Sequence, residues 1–323
     1  MNYFDQLLIL EKETAKLLLR GSADPLIQQI LFKKSVEIVN LELSYMCNRK
    51  CDYCPVKDSD RQSTQQLMDG KIFASIINSL AAIRYENRIS LNLYNEPLLD
   101  TSLEEKIKKI RCDLPYSHIS FNSNGDNLSR ERLLSLGQAG LNYICVTFHP
   151  PPSVLETKKS VKKRLEGFLQ RNEVRRDALL LAEEDRVEFI KDGVRVLCRW
   201  PNWRADGTSR AGVLKHHQSM SAVRVQPCLK PFRELTVFYD GSVQPCCEAF
   251  HDREINLCEI GRVGPSVSIF DVYSSESMAA FRQSVFSFGE KTGICQHCVS
   301  TDYSDQASDQ AERVEILGSV MKQ

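Results

Sequence analysis

Three cysteines fall within eight residues at CNRKCDYC, as Cys47, Cys51 and Cys54, with gaps of three and then two residues. A tetrahedral structural zinc takes four ligands, and two-cysteine knuckles come in matched pairs. Three thiols with no fourth nearby describe a metal centre that keeps one coordination position open. A second group crowds the last third of the chain, as Cys228, Cys246, Cys247, Cys258, Cys295 and Cys298. Twelve cysteines in 323 residues are many for a chain without a secretory signal. In a reducing compartment they read as metal ligands, catalytic thiols or small buried apolar residues rather than disulfides. Cys112, Cys145 and Cys198 stand alone in apolar or strand-like settings and read as core.

The elements that position these thiols alternate between strand and helix from about residue 36. Strands are expected at VEIVNLELSYM (36–46), ISLNLY (89–94), HISFNS (118–123), YICVTF (143–148), ALLLA (178–182) and VRVLCRW (194–200). Helices are expected near 64–84, 102–110, 128–139, 153–170 and 183–191. Apolar strands separated by amphipathic helices predict an α/β fold with a parallel sheet, and six such units predict a partial (β/α)6 barrel of TIM type. Chemistry in that architecture sits in the loops after the strand C-termini. CNRKCDYC follows the first strand and lies in such a loop.

Residues 1–35 read as a helical cap, with leucines spaced among charges. After Trp203 the polar, glycine-containing RADGTSRAG (204–212) reads as a connection, and RELTVFYDGSVQPCC (233–247) as two short strands joined at Asp240-Gly241. A helix near 275–287 and the pair Cys295/Cys298 follow, and the segment from about 302 reads as a loose polar tail. The expected organisation is a cap over 1–35, a partial barrel over 36–212, a small α+β domain over 213–301 and the tail over 302–323.

Lys plus Arg and Asp plus Glu both number 42, so the net charge is zero and no electrostatic footprint for nucleic acid or an anionic membrane is present. The charged residues Asp5, Glu11, Lys12, Glu13 and Lys16 rule out a signal-peptide core, and no apolar run is long enough to span a bilayer. A cytoplasmic protein is expected.

Thiolates hold iron–sulfur clusters, and an iron without a protein thiolate is free to bind another group. The C-x3-C-x2-C spacing, with Tyr53 before the last cysteine, resembles the radical S-adenosylmethionine (SAM) superfamily. The resemblance implies that Cys47, Cys51 and Cys54 hold a 4Fe–4S cluster whose fourth iron is chelated by SAM. One electron then cleaves the sulfonium and generates a 5′-deoxyadenosyl radical. Tyr94-Asn95-Glu96-Pro97 resembles the family's Gly-Gly-Glu-Pro segment, with Tyr and Asn in place of the glycines. SNGDNL (123–128) resembles its Thr-Asn-Gly segment, and PNW (201–203) its Asn-Trp element. These imply cofactor contacts at Tyr53, Asn95, Glu96, Pro97, Asn124 and Asn202, and His149 in FHPPP joins them by its position after the fourth strand.

Cys228, Gly241, Cys246 and the pair Cys295/Cys298 resemble the first half of the SPASM pattern. The truncated version, a twitch domain, holds one auxiliary 4Fe–4S cluster with four cysteines, and IGRVGPSVSIFDVYSSESMAAFR (260–282) resembles the family's linker. The same four thiols would also satisfy a zinc ion in a non-enzymatic α/β module. Cys247 adjoins a ligand and is the alternative to Cys246, although the Gly241 spacing favours Cys246.

The resemblance implies an enzyme that abstracts a hydrogen atom to epimerise or oxidise a C–H centre in natural-product biosynthesis. The substrate is a small molecule of sugar or aminocyclitol type, or alternatively a ribosomally made peptide. Residues 1–35 are too few for the peptide-recognition module of peptide-modifying relatives, which favours the small molecule. A reductant such as flavodoxin or ferredoxin is the implied protein partner. Two thiols are left over, and Cys258 first, Cys247 second, are candidate hydrogen donors for an inversion. This route is preferred over oxidation by the auxiliary cluster.

Overall fold

The structure is a computed structural model that describes residues 12–63, 65–149, 158–200, 208–214, 223–252, 258–300 and 309–322. Along the chain run α1 (Lys12–Arg20), α2 (Pro25–Ser35), β1 (Ile38–Leu41), α3 (Gly70–Ala82), β2 (Arg88–Ser90), α4 (Leu103–Asp113), β3 (His118–Ser123), α5 (Arg130–Ala139), β4 (Tyr143–Thr147) and α6 (Lys158–Arg171). They are followed by β5 (Leu179–Ala182), β6 (Arg186–Lys191), β7 (Val194–Arg199), α7 (Lys230–Arg233), β8 (Glu234–Val237), β9 (Ser242–Gln244), β10 (Gly261–Arg262), α8 (Ile269–Tyr273), α9 (Glu276–Phe286) and α10 (Asp309–Met321). Two compact units result. The first holds Asn40–Met68 and Arg84–Gly207, the second Met1–Val39, Asp69–Ile83 and Thr208–Gln323.

In the first unit β2, β3, β4 and β7 are parallel neighbours, with β1 next to β2. Register places Ile89 beside Ile119, Phe121 beside Ile144, and Ile144 beside Val196, all fully buried. Side chains alternate across a strand, so these residues form one apolar face. The crossover helices supply matching stripes, such as Leu103, Ile107 and Ile110 on α4. The mixed α/β fold with a parallel core and an open barrel is as expected.

The helix expected near 183–191 is instead strand β6, antiparallel to both β5 and β7. Its cause is the Asp192-Gly193 turn, with φ of 51° and 80°, which pairs Lys191 with Val194 in a two-residue hairpin. The strand over 179–182 is accordingly an antiparallel edge and not a sixth parallel strand. The strands expected over 36–46 and 89–94 are confined to Ile38–Leu41 and Arg88–Ser90, and the residues beyond enter the loops of the site. Cys145 and Cys198 are buried as expected, whereas Cys112 is exposed on the outer side of α4.

In the second unit β8, β9 and β10 form an antiparallel ladder, with Thr236 opposite Gln244 and Val243 opposite Gly261. The turn at Asp240-Gly241 is present. Gly241 has φ 85°, and a Cβ there would lie 2.6 Å from the carbonyl oxygen of Val263. The N-terminal helices are built into this unit: Arg282 of α9 donates to Leu18 O at 3.2 Å and Gln283 to Leu19 O at 2.6 Å. The segment expected to be a loose tail carries α10, while residues 301–308 lie outside the described residues. Its anchor is Arg313, fully buried against Phe286 and Phe288 and donating to Phe286 O at 3.1 Å. No described helix is long and apolar enough to cross a membrane.

Gly241→Ala combines a left-handed backbone with a backbone clash. It should cost about 1–3 kcal/mol, read as a lower melting temperature and weaker iron retention in the second unit. An unchanged melting temperature would show that the turn is rebuilt without strain.

Candidate active site

The cysteine loop leaves β1 and returns on a short ladder. Met68 N–H donates to Leu43 O at 2.8 Å, Tyr45 N–H to Gln66 O at 2.7 Å, and Cys47 N–H to Arg61 O at 3.1 Å. Its base is closed by Arg61 and Glu42, an ion pair of 2.7 Å with both side chains inaccessible. The guanidinium of Arg61 also lies 4.3 Å from the Tyr45 ring centroid. Cys54 N–H donates to Cys51 O at 3.0 Å, which folds the two-residue gap into a turn, and Pro55 starts a 3-10 turn behind it. The three thiols are half-buried and within electrostatic reach of one another. Burial pushes Cys47 up to about 12, so ligation must stabilise the thiolates.

Glu96 joins three loops. Its N–H donates to Met46 O at 2.7 Å, and its buried carboxylate accepts from Ser123 Oγ (2.7 Å), Asn124 N–H (2.7 Å) and Leu98 N–H (3.2 Å). Burial raises the Glu96 carboxyl to about 7, against the pull of those donors. Asn95 faces inward, accepting from Leu93 N–H at 3.0 Å and donating to Ser44 Oγ at 3.3 Å, and Pro97 opens the 3-10 turn Pro97–Leu99. These side chains shape the loop, and the N–H groups of Tyr94 and Glu96 are also engaged, by the Glu42 carboxylate and by Met46 O. Gly125 has φ 73°, and a Cβ would lie 2.6 Å from Val146 Cγ1, so the Asn124-Gly125 turn requires glycine.

Asn124 donates to Asn48 Oδ1 at 2.8 Å, and Asn48 donates to Asp126 Oδ2 at 3.1 Å. Arg49 grips Asp126 bidentately at 2.8 and 2.5 Å and donates to His149 O at 3.0 Å. Tyr53 and His149 share a hydrogen bond and stack with centroids 5.7 Å apart. Burial first, then the Arg49 charge, depress His149 to about 3, so its ring is neutral. The structure thus brings Tyr53, Asn124 and His149 onto the cysteine loop, while Asn202 lies outside the described residues. Asn48, Arg49 and Asp126 were missed in the sequence, where only the opposite charges of Arg49 and Asp126 hint at them.

Cys228, Cys246, Cys295 and Cys298 line one cavity in the second unit, together with Arg224 and Lys230. Burial raises the thiols of Cys228, Cys246 and Cys295, the last to about 12 with Cys228 and Cys298 adding to it. Cys298 N–H donates to Cys295 O at 3.2 Å, and Cys228 N–H to Val285 O at 2.9 Å. Arg224, unforeseen in the sequence, lies 3.7 Å from Cys298 Sγ and donates to Ser300 O at 2.6 Å. Among the described residues no three His, Cys, Asp or Glu groups close on a single point as one metal ion requires. Cys247 lies 4.0 Å from Lys230 Nζ and is pushed up by burial, and Cys258 neighbours Cys295. Both spare thiols belong to the second unit.

The structure thus holds a loop of three half-buried thiols after β1 and, in the second unit, a cavity lined by four thiols. The chain matches the Radical SAM superfamily over residues 41–190 and SPASM, an iron–sulfur cluster-binding domain, over residues 228–299. Residues 41–190 thus carry a radical SAM domain and residues 228–299 a SPASM iron–sulfur domain, and these domains imply 4Fe–4S clusters and SAM as cofactors. A curated relative, the S-adenosyl-L-methionine-dependent 2-deoxy-scyllo-inosamine dehydrogenase of Niallia circulans, is 25% identical over 282 residues, covering 87% of this chain and 99% of that protein. Among solved structures, BtrN in complex with AdoMet and 2-DOIA has a TM-score of 0.60 at 22% identity, covering 85% of this chain and 96% of that one. Selenomethionine BtrN in an open conformation has a TM-score of 0.53 at 20% identity, covering 85% and 97%.

Anaerobic reconstitution should give about eight irons per chain, four for each cubane. The Cys47→Ala/Cys51→Ala/Cys54→Ala variant should keep about four irons yet release no 5′-deoxyadenosine. Saturation of the unaltered chain at about four irons would remove the auxiliary site.

Proposed function

We propose that this radical SAM enzyme oxidises an alcohol carbon of a small polyhydroxylated molecule of sugar or aminocyclitol type. The observation that carries the reading is the second face of the parallel sheet. Opposite the apolar face, register aligns Ser120 with Tyr143 and Arg195, and Asn122 with Cys145. Leu197 is the one aliphatic side chain on the cavity of about 500 Å3 that this face lines. A concave surface of this size, dense in donors and acceptors, matches the hydroxyls of a polyol and would be a poor floor for an apolar substrate. The dehydrogenase relative supports oxidation in preference to inversion.

Oxidation of a carbinol removes one hydrogen atom from carbon, one proton from oxygen and one electron. When bound, the cofactors supply the carbon radical that takes the hydrogen atom and a site for the remaining electron. Cys47, Cys51 and Cys54 would hold the cluster that binds SAM, and Cys228, Cys246, Cys295 and Cys298 the auxiliary one. Glu96 fixes the backbone of the Asn95–Pro97 loop, and the Arg49–Asp126 pair fixes the loop after β3. The neutral His149 orients Tyr53. Inversion by a hydrogen atom from Cys258 or Cys247 is the competing outcome. Cys247 lies beside Lys230 and Cys258 is within electrostatic reach of Cys295, which supports roles near the four-cysteine cavity.

The test offers 2-deoxy-scyllo-inosamine and related polyols to the reconstituted enzyme in deuterium oxide. The expected product is two hydrogens lighter than substrate, carries no solvent deuterium at the reacting carbon, and forms with equimolar 5′-deoxyadenosine. A product of unchanged composition with one deuterium at an inverted carbon would overturn oxidation and restore the thiol route.

A further inference from the structure

The polar face of the first unit carries an excess of positive charge. Arg88, Arg195 and Arg199 line its cavity. One carboxylate faces them: Glu188 of β6 binds Arg195 bidentately at 2.5 and 2.8 Å. Arg88 instead donates from Nε to Ser120 Oγ at 2.8 Å, and Arg199 from Nε to Thr147 Oγ1 at 3.4 Å. Neither guanidinium has an ion-pair partner among the described residues, and each keeps its two terminal nitrogens for another group. His118, which also lines the cavity, is shifted towards its neutral form by burial and by Arg88 and Arg111. Glu42, the carboxylate at the end of β1, is matched by Arg61. The balance over the cavity is therefore three cations against one anion, or two unmatched charges.

Two arginines without a carboxylate partner on one face give it a positive potential that attracts an anion. A guanidinium is the side chain whose planar donors match the oxygens of a phosphate or carboxylate. Arg199 also lies close enough to His149 to oppose protonation of its ring, which places this charge on the cysteine-loop side of the cavity. Asn122 and Tyr143 sit between Arg88 and Arg199 in the sheet and offer neutral hydrogen-bonding groups.

We propose that this cavity binds the anionic group, phosphate or carboxylate, of the molecule the enzyme oxidises, with Arg199 and Arg88 as its anchors. The inference rests on the polyol reading and narrows it to an anionic polyol. The hydroxyls would be met by the neutral groups between the arginines.

Binding can be measured without turnover. Inorganic phosphate and, separately, acetate are titrated calorimetrically into the full-length reconstituted protein and its variants. Saturable phosphate binding is expected, weakened tenfold or more by Arg199→Gln and by Arg88→Gln. Glu188→Gln, which releases Arg195, should tighten binding at least twofold, a gain that misfolding cannot produce. Acetate binding in place of phosphate, with the same response to the variants, would assign the anion as a carboxylate. No saturable binding of either anion, or binding indifferent to all three substitutions, overturns the proposal. Oxidation of a neutral polyol alongside absent anion binding would sink this inference and leave the oxidation reading standing. Anion binding with no polyol oxidised would do the reverse.

Discussion

The ion pair of Glu42 and Arg61 is the interaction on which the three-cysteine loop depends. Both side chains are inaccessible, so neither can fall back on water if the other is lost. Removing one partner of such a pair costs about 3–5 kcal/mol, because the survivor becomes an uncompensated buried charge. Glu42 also accepts the N–H of Tyr94 at 3.1 Å, and the carbonyl of Arg61 takes the N–H of Cys47. One carboxylate at the end of β1 therefore fixes the first cysteine and the loop that begins at Tyr94. Glu96, two residues on, repeats the device one strand further by binding Ser123 and Asn124. The loops after three successive strands are tied together from beneath, and the thiols ride on that base.

A closed barrel would demand that its inward side chains fill a core. This barrel is open, and its two faces carry different chemistry. In HISFNS the residues Ile119 and Phe121 are fully buried on the apolar side, while His118, Ser120 and Asn122 alternate with them onto the other. Folding energy comes from the first face, as apolar area removed from water. The second face is free of that duty, which is why Arg88, Arg195 and Arg199 can stand within strands there. The same alternation runs through β4 and β7, so the polarity belongs to the sheet as a whole.

Both cysteine groups were legible in the sequence because ligand spacing is local, and so were β3, β4, β7 and α9, whose periodicity is strong. The strand at 186–191 was not, although Asp192-Gly193 is as clear a hairpin signal as Asp240-Gly241. Its Val187, Glu188 and Phe189 are all buried, so the alternation that marks a half-exposed strand is absent. α10 was hidden by the polar stretch before it; Arg313, Ile316 and Val320 nonetheless share a helical face. The Arg49–Asp126 pair spans 77 residues and the Arg224–Cys298 contact 74. Such partners are set by topology, and local spacing carries no trace of them.

The two thiol sets also differ in the charge around them, in a way that fits their ligand counts. At the three-cysteine loop the nearby cation, Arg49, is matched by Asp126 in a bidentate pair. At the four-cysteine cavity Arg224 donates to Pro227 O at 2.6 Å, to Ser300 O and towards Cys298 Sγ, and no carboxylate pairs with it among the described residues. Lys230 lies on the same cavity and lowers the charge cost at Cys228. Charge and hydrogen bonds at the sulfurs are among the factors that set a cluster's reduction potential. A cation without a carboxylate partner beside Cys298 would favour the more negative, reduced state of a cluster held there. At the three-cysteine loop Arg49 also lowers the charge cost at Cys51, but Asp126 beside it offsets part of that effect.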